Sequence, residues 1–310
     1  MAAKKKTIRV FAPATVANLA CGFDTMGLAI DEPGDIVEIT PNKSGDLFIT
    51  KITGDGKKLS RNPFENTVTV SIAAFLQSTG LKQGFDIVLH KQMPLGSGLG
   101  SSAASSAAGV KAVNEFFGKP LKTKELVKFA MEGERVACGS AHADNVAPCL
   151  LGGIVLCHPS GELVELPVPA GMHLVVVHPQ VEVLTRDSRA VLPKQIALST
   201  GIQQWANTAA LTSSLYTGDY DLMRLALQDL VAEPNRGKLI PYFTDIKSAA
   251  MQHAIGCSIS GSGPSVFAIV KGPAAAKQTA KAMEAVCKKF KLRCTVYVSK
   301  VNRSGAKVLR

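Results

Sequence analysis

The chain has 310 residues, 46% hydrophobic and 19% charged, with 35 basic against 24 acidic side chains and a formal charge of +11. This balance excludes a disordered chain, and the length favours two domains over a single core. No apolar run reaches the roughly 20 residues that span a bilayer, so no membrane partner is expected. The positive charge comes with few aromatics and no arginine-rich run, so no nucleic-acid partner is expected either.

The start of the chain is a Lys4-Lys5-Lys6 tail running into a strand, without the apolar stretch of a secretory signal. Seven cysteines are scattered and never spaced as C-x-x-C, which predicts reduced thiols in a cytoplasmic protein and no zinc or disulfide frame. Strands are predicted at 8–12, 35–40, 47–53 and 85–90, and helices at 66–79, 102–117 and 123–137. Residues 151–158 read as a buried strand. A turn at 159–161 and proline-spaced residues 166–171 mark a boundary, dividing the chain into 1–166 and 167–310. Beyond it come a strand at 173–178, helices at 194–217, 220–231 and 241–252, a strand at 265–270, a helix at 273–290 and a strand at 293–300. Helices and strands mix in both halves, so the fold class is α+β.

The most informative segment is Pro94-Leu95-Gly96-Ser97-Gly98-Leu99-Gly100-Ser101-Ser102-Ala103-Ala104, set between a strand and an alanine-rich helix. Alternate glycines permit backbone angles and close approaches that a Cβ forbids. The free N–H groups of the helix start favour an anion, and phosphate is the natural occupant. No lysine follows the last glycine, and the third glycine falls two residues after the second. Neither G-x-x-x-x-G-K-[ST] nor G-x-G-x-x-G therefore describes the loop. The paired serines either cap the helix or offer a hydroxyl to Mg2+.

Four other clusters set polar groups beside apolar sequence. Residues 13–24 present Asn18 and Asp24 on a loop, either as ligands or as ties for turn backbone. Leu126, Ala130 and Glu134 share one helical face, so Glu134 points inward and needs a partner, a cation or an arginine. Lys128 and Glu132 read as a separate solvated i, i+4 pair. Residues 139–148 bring His142, Asp144 and Asn145 together like the floor of a substrate pocket. Residues 258–265 form a second glycine loop, around Gly261, which a plain hairpin turn would also explain. Arg186, Arg189 and Arg236 lie in loop-like surroundings, either as surface charges or as a grip for a carboxylate or phosphate.

Taken together, residues 13–24, 94–105 and 258–265 resemble, in order and spacing, the three motifs of the GHMP small-molecule kinases. The resemblance spans the chain. It implies a ribosomal-protein-S5-like N-terminal domain and a ferredoxin-like C-terminal domain, with ATP between them. It also implies that residues 94–104 are the ATP phosphate loop. Ser102 (Ser101 as the alternative) and Glu134 would be the Mg2+ ligands, and Ser102, Glu134 and Asn145 the catalytic candidates. The floor at 142–145 and the stretch from Glu233 to Arg236 point to members acting on an amino-acid alcohol. Asn18 and Asp24 would face its ammonium group, His142 and Asp144 would line the floor, and Arg189 and Arg236 would hold its carboxylate, with Gly261 closing the site. Family members with another substrate, or a non-catalytic ATP-binding relative, stay open as alternatives. The resemblance further implies a homodimer.

Overall fold

The computed structural model describes residues 7–138 and 142–310. The lysine tail at 4–6 and positions 139–141 of the floor segment lie outside the described residues.

The first half contains β1 (Ile8–Ala17), β2 (Met26–Asn42), β3 (Leu47–Thr53), α1 (Thr67–Thr79), β4 (Gly84–His90), α2 (Ser101–Phe116), α3 (Thr123–Cys138), α4 (Ala143–Leu151), β5 (Ile154–Cys157) and β6 (Leu163–Leu166). The second contains β7 (Met172–Pro179), α5 (Thr185–Ala190), α6 (Leu198–Thr217), α7 (Tyr220–Ala226), α8 (Glu233–Arg236), α9 (Phe243–Met251), β8 (Gly256–Ile259), β9 (Val266–Lys271), α10 (Pro273–Lys289), β10 (Cys294–Lys300) and β11 (Lys307–Leu309).

One sheet runs β11-β1-β2-β4-β3, with β5 added to β2 and β6 to β5. β11 is the returning C-terminus, so the last residues of the chain rejoin the first sheet. The second sheet runs β10-β7-β9-β8, and all of its pairings are antiparallel.

Small residues put α2 at the centre of the first domain. Ala103, Ala104, Ala107, Ala108, Val110 and Ala112 are fully buried, a helix apolar on nearly all sides because it is covered on nearly all sides. Around it, Phe75 of α1 meets Phe129 of α3 edge to face, with ring centroids 5.5 Å apart. Burying each such ring contributes about 1.5–3 kcal/mol. In the second domain, alternate residues of β7 and β9 serve two cores, as the period of a strand requires. Val175, Val177, Ala268 and Val270 face α9 and α10. Leu174, Val176, Phe267 and Ile269 join the core shared with the first domain. The second sheet thereby buttresses the glycine loops at the domain seam.

Some predicted boundaries shift. Residues 143–151, expected as loop running into a strand, form α4, with Pro148 inside the helix. Residues 227–231 do not continue α7. Arg186 and Arg189 stand on the short helix α5 rather than on a loop. Glu132 pairs with Arg135 rather than Lys128, whose ammonium lies over the Phe129 ring.

Candidate active site

A cleft of about 770 Å³ runs between the two domains. One wall is the phosphate-loop candidate. Leu95, Gly96, Ser97, Gly98, Gly100, Ser101 and Ser102 line it, while Leu99, Ala103 and Ala104 pack into the core behind and Pro94 is not on the wall. Two glycines are needed for steric reasons. Gly98 has φ +74°, and a Cβ there would collide with the Ser260 carbonyl and the Gly263 backbone. Gly100, the N-cap of α2, has φ +69° and lies against Thr15 and Asn145.

The second glycine loop, joining β8 to β9 as a hairpin, holds the first from above. Ser260 Oγ donates to the Gly98 carbonyl at 2.7 Å, and the Ser265 N–H donates to the Ser97 carbonyl at 3.2 Å. Residues 258–265 are therefore a hairpin turn, and that turn also packs against the first glycine loop.

Beneath the loop sits a pair that sequence reasoning missed. Lys91, just past β4, forms a buried ion pair with Asp35 of β2. Its ammonium also donates to the Ser101 carbonyl at 2.7 Å and to Ser105 Oγ at 2.8 Å. Asp35 accepts from the Gln92 and Met93 N–H groups and from Ser101 Oγ. Ser101 thus spends its hydroxyl on the scaffold. Ser102 instead faces the cleft and donates to Glu134 Oε2 at 3.0 Å.

Glu134 of α3 is buried, and burial pushes its carboxyl up to about 7 against the pull of Ser102 and Lys91. Its Oε1 has no hydrogen-bond partner among the described residues. Two hard oxygen donors, one of them orphaned, beside a phosphate loop are what a small divalent cation takes. Among the described residues no three carboxylate, imidazole or thiol groups converge on one point, so such a cation would draw its remaining ligands from phosphate and water.

At the other end of the cleft lies a charged cluster. Asn18, Leu19 and Ala20 all have left-handed backbone, φ +73°, +43° and +62°, at a cost of roughly 1–2 kcal/mol for a non-glycine residue. The turn is held by Asn18, whose Oδ1 accepts from the Asp24 N–H at 3.1 Å and whose Nδ2 donates to the Gly261 carbonyl at 3.0 Å. Arg189 grips Asp24 with both terminal nitrogens, and His142 Nδ1 lies 3.9 Å from the same carboxylate. Burial lowers the His142 pKa, with Asp24 opposing. Buried Arg236 donates to the carbonyls of Gly261 and Ser188 and lies over the Phe23 ring, 4.9 Å from its centroid.

In the first turn of α4, burial and then the neighbouring charge of Asp24 push the Asp144 carboxyl up to about 7. Asn145 accepts from Thr15 Oγ1 at 2.7 Å beside Gly100, linking floor to phosphate loop. Five buried side-chain atoms lack a hydrogen-bond partner among the described residues. Four of them, Ser97 Oγ, Glu134 Oε1, Asp144 Oδ1 and Arg189 Nε, belong to residues lining this one cleft. Orphaned polar atoms concentrated in one cleft await a polar ligand.

A glycine loop beside two oxygen donors at one end of the cleft, and a cluster of charged side chains at the other, suit a small-molecule phosphotransferase. The family models for the GHMP kinase N-terminal and C-terminal domains match residues 66–153 and 211–289. The chain belongs to the GHMP kinase family. Over 98% of its length it is 48% identical to the homoserine kinase of Chlorobium phaeobacteroides strain BS1, all of which is covered. The homoserine kinase structure from Cytophaga hutchinsonii superposes with a TM-score of 0.96 at 49% identity, covering 100% of this chain and 99% of that one. A mevalonate kinase from L. major shares the fold, with TM-score 0.72 at 16% identity over 97% and 98% of the two chains.

Proposed function

We propose that this protein transfers the γ-phosphoryl group of ATP to the side-chain hydroxyl of L-homoserine, giving O-phospho-L-homoserine, a step of threonine biosynthesis. The observation that carries this is the gathering of four orphaned polar atoms in one cleft, two at the phosphate end and two in the charged cluster. The similarity over the whole chain to curated homoserine kinases supports the choice of acceptor.

The geometry supports the following roles. The loop amides and the α2 dipole take the phosphates, with residues 1–166 supplying most of the nucleotide wall and 167–310 closing it. Ser102 and Glu134 would hold Mg2+, which supplies neutralisation of the charge moving with the phosphoryl group. Asp24 and Asp144 face the ammonium, Arg189 and Arg236 the carboxylate, and His142 shapes the floor between them. Asn18 and Gly261 lock the turn that carries Asp24. Asn145, tied to Thr15 beside Gly100, lies where the floor meets the phosphate loop and helps align the hydroxyl.

Catalysis is then mainly positioning and charge neutralisation. The hydroxyl oxygen bonds to the γ-phosphorus as the bond to ADP breaks, and its proton passes to the transferred phosphoryl oxygens. No residue is assigned as base, because Asp144 is committed to the ammonium. A homodimer completes the reading, and a cytoplasmic location rests on the cysteine usage alone.

The test is ADP release in the presence of Mg-ATP, with L-homoserine, mevalonate, galactose and L-serine offered in parallel. Turnover with homoserine alone, lost in Glu134→Ala, is the expected result. Turnover with a different alcohol would overturn the acceptor, and none at all with intact ATP binding would overturn the activity.

A further inference from the structure

From Gln195 to Gly218 the chain has no charged residue, although the protein as a whole carries +11. This stretch contains α6, whose 20 residues span about 30 Å at 1.5 Å per residue. Its inner face joins the core through Leu211 and Leu215, but its outer face is apolar and exposed. Leu198 is 71% exposed, Ile202 53%, Trp205 61% and Tyr216 64%. Ile196, 45% exposed, reaches the same place, since its side chain and that of Trp205 both flank Gly201. The exposed row Ile202, Trp205, Ala209 and Tyr216 follows one helical face.

An apolar row of this size on a surface marks a docking face, and the absence of charge narrows the occupant. An acidic partner would be met by basic residues, and an anionic lipid surface by a lysine-rich polar face. The helix has neither. A copy of the same chain imposes a different requirement. Across a two-fold axis the same patch faces itself, so a patch with a net charge would face that same net charge, and in a protein of +11 this uncharged face avoids the repulsion.

We propose that α6 is the face on which a second copy of this chain docks, through an isologous contact centred on Trp205. The proposal rests on the homodimer reading above and adds where the contact lies. It also places the contact behind the charged cluster. On the inner side of the same helix, Gln204 Nε2 and Thr208 Oγ1 donate to the Cys21 carbonyl at 3.0 and 2.9 Å, and Gln204 Oε1 accepts from the Leu230 N–H at 3.0 Å. Docking would stiffen the helix that braces the Asp24 turn.

Trp205 is the only tryptophan of the chain, so its emission reports on the face without any substitution. The experiment is sedimentation velocity of the wild-type protein over a dilution series, with iodide quenching of tryptophan emission at each concentration. Trp205→Glu, Ile202→Lys and, as a control on a different surface, Val298→Glu are sedimented alongside, with circular dichroism to check folding. A particle of twice 32.6 kDa is expected, with emission shielded from iodide and becoming quenchable as dilution splits it. Trp205→Glu and Ile202→Lys should sediment as single chains and Val298→Glu as the pair. A wild type that is a single chain throughout would overturn both the homodimer and the face. A two-chain particle whose tryptophan is fully quenchable would overturn the face alone, even if the variants misfolded.

Discussion

The guanidinium of Arg189 and the carboxylate of Asp24 meet in a two-pronged contact, Nη1–Oδ2 3.1 Å and Nη2–Oδ1 3.0 Å, although 165 positions separate them in sequence. Each holds the other's charge within the cleft, so on the proposed reading the site for an amino acid is assembled before the amino acid arrives. A zwitterion can then exchange one pair for two, its carboxylate to the arginine and its ammonium to the aspartate. Arg189→Lys keeps the charge but loses the fork. At roughly 1.5–3 kcal/mol for a hydrogen bond to a charged group, KM for homoserine should rise about 10- to 100-fold. KM for ATP should stay near its wild-type value. Steady-state kinetics with each substrate varied in turn would show the split, and an equal rise in both constants would remove Arg189 from the acceptor end.

The Lys91–Asp35 pair makes a different prediction, because it lies beneath the phosphate-loop candidate rather than in the proposed acceptor pocket. Both side chains are almost wholly buried, and together they hold the Ser101 carbonyl, the Ser101 and Ser105 hydroxyls and two backbone N–H groups. Lys91→Met leaves an uncompensated carboxylate in the core, which costs about 3–5 kcal/mol. Adding Asp35→Asn should restore much of that loss. Urea unfolding measures the stability, and KM for ATP should rise in both variants as the start of α2 loses its anchor. A single variant no less stable than wild type would show that the pair holds nothing in place.

Much of the architecture was legible in the sequence because it is periodic. The strand at 47–53 emerges with the predicted bounds, and α10 differs by one residue at its end. The phosphate-loop candidate was legible because strand, glycines and small-residue helix follow one another locally. α4 was not, since nine residues are too few for a helical period to stand out and Pro148 reads as a helix breaker. Lys91 was not either. A lysine after a strand reads as a solvated end, and its counter-ion lies 56 positions away, where no local pattern can announce it. Arg189 was singled out, but its pairing with Asp24 is a product of the tertiary fold.

Gly98 offers a steric test of the seam between the two glycine loops. Its left-handed backbone costs a non-glycine residue about 1–2 kcal/mol, and a Cβ would also press on the Ser260 carbonyl and the Gly263 backbone. Gly161 has φ +91° and open space around it, so it isolates the backbone term. Gly161→Ala should lose stability alone and bind nucleotide as before. Gly98→Ala should lose more stability and weaken ATP binding at least tenfold by calorimetry, because the loop must shift away from the hairpin. Equal effects from the two substitutions would mean that the seam does not hold the loop.

The pH dependence of homoserine binding should follow Asp144. Its carboxyl is pushed up to about 7 by burial and by Asp24, so below that pH the free protein holds it protonated. An ammonium beside it favours the carboxylate, and binding therefore expels the proton. Apparent affinity for homoserine should fall as pH drops from 8 to 6, by up to about tenfold per unit below 7, with a plateau above 8. Asp144→Asn should flatten this dependence while lowering affinity, and turnover at saturating homoserine should largely survive; a collapse of turnover would make Asp144 the base. The same shift has an opposite sign for folding. A carboxyl whose pKa is raised in the native state stabilises it fully only below the unfolded value. That stabilisation is lost as pH rises toward 7, at about 1.4 kcal/mol per unit. Asp144→Asn should consequently raise the melting temperature of the ligand-free protein at pH 8 and change it little at pH 4. A substitution equally destabilising at both would show that the Asp144 carboxylate is already compensated in the free protein.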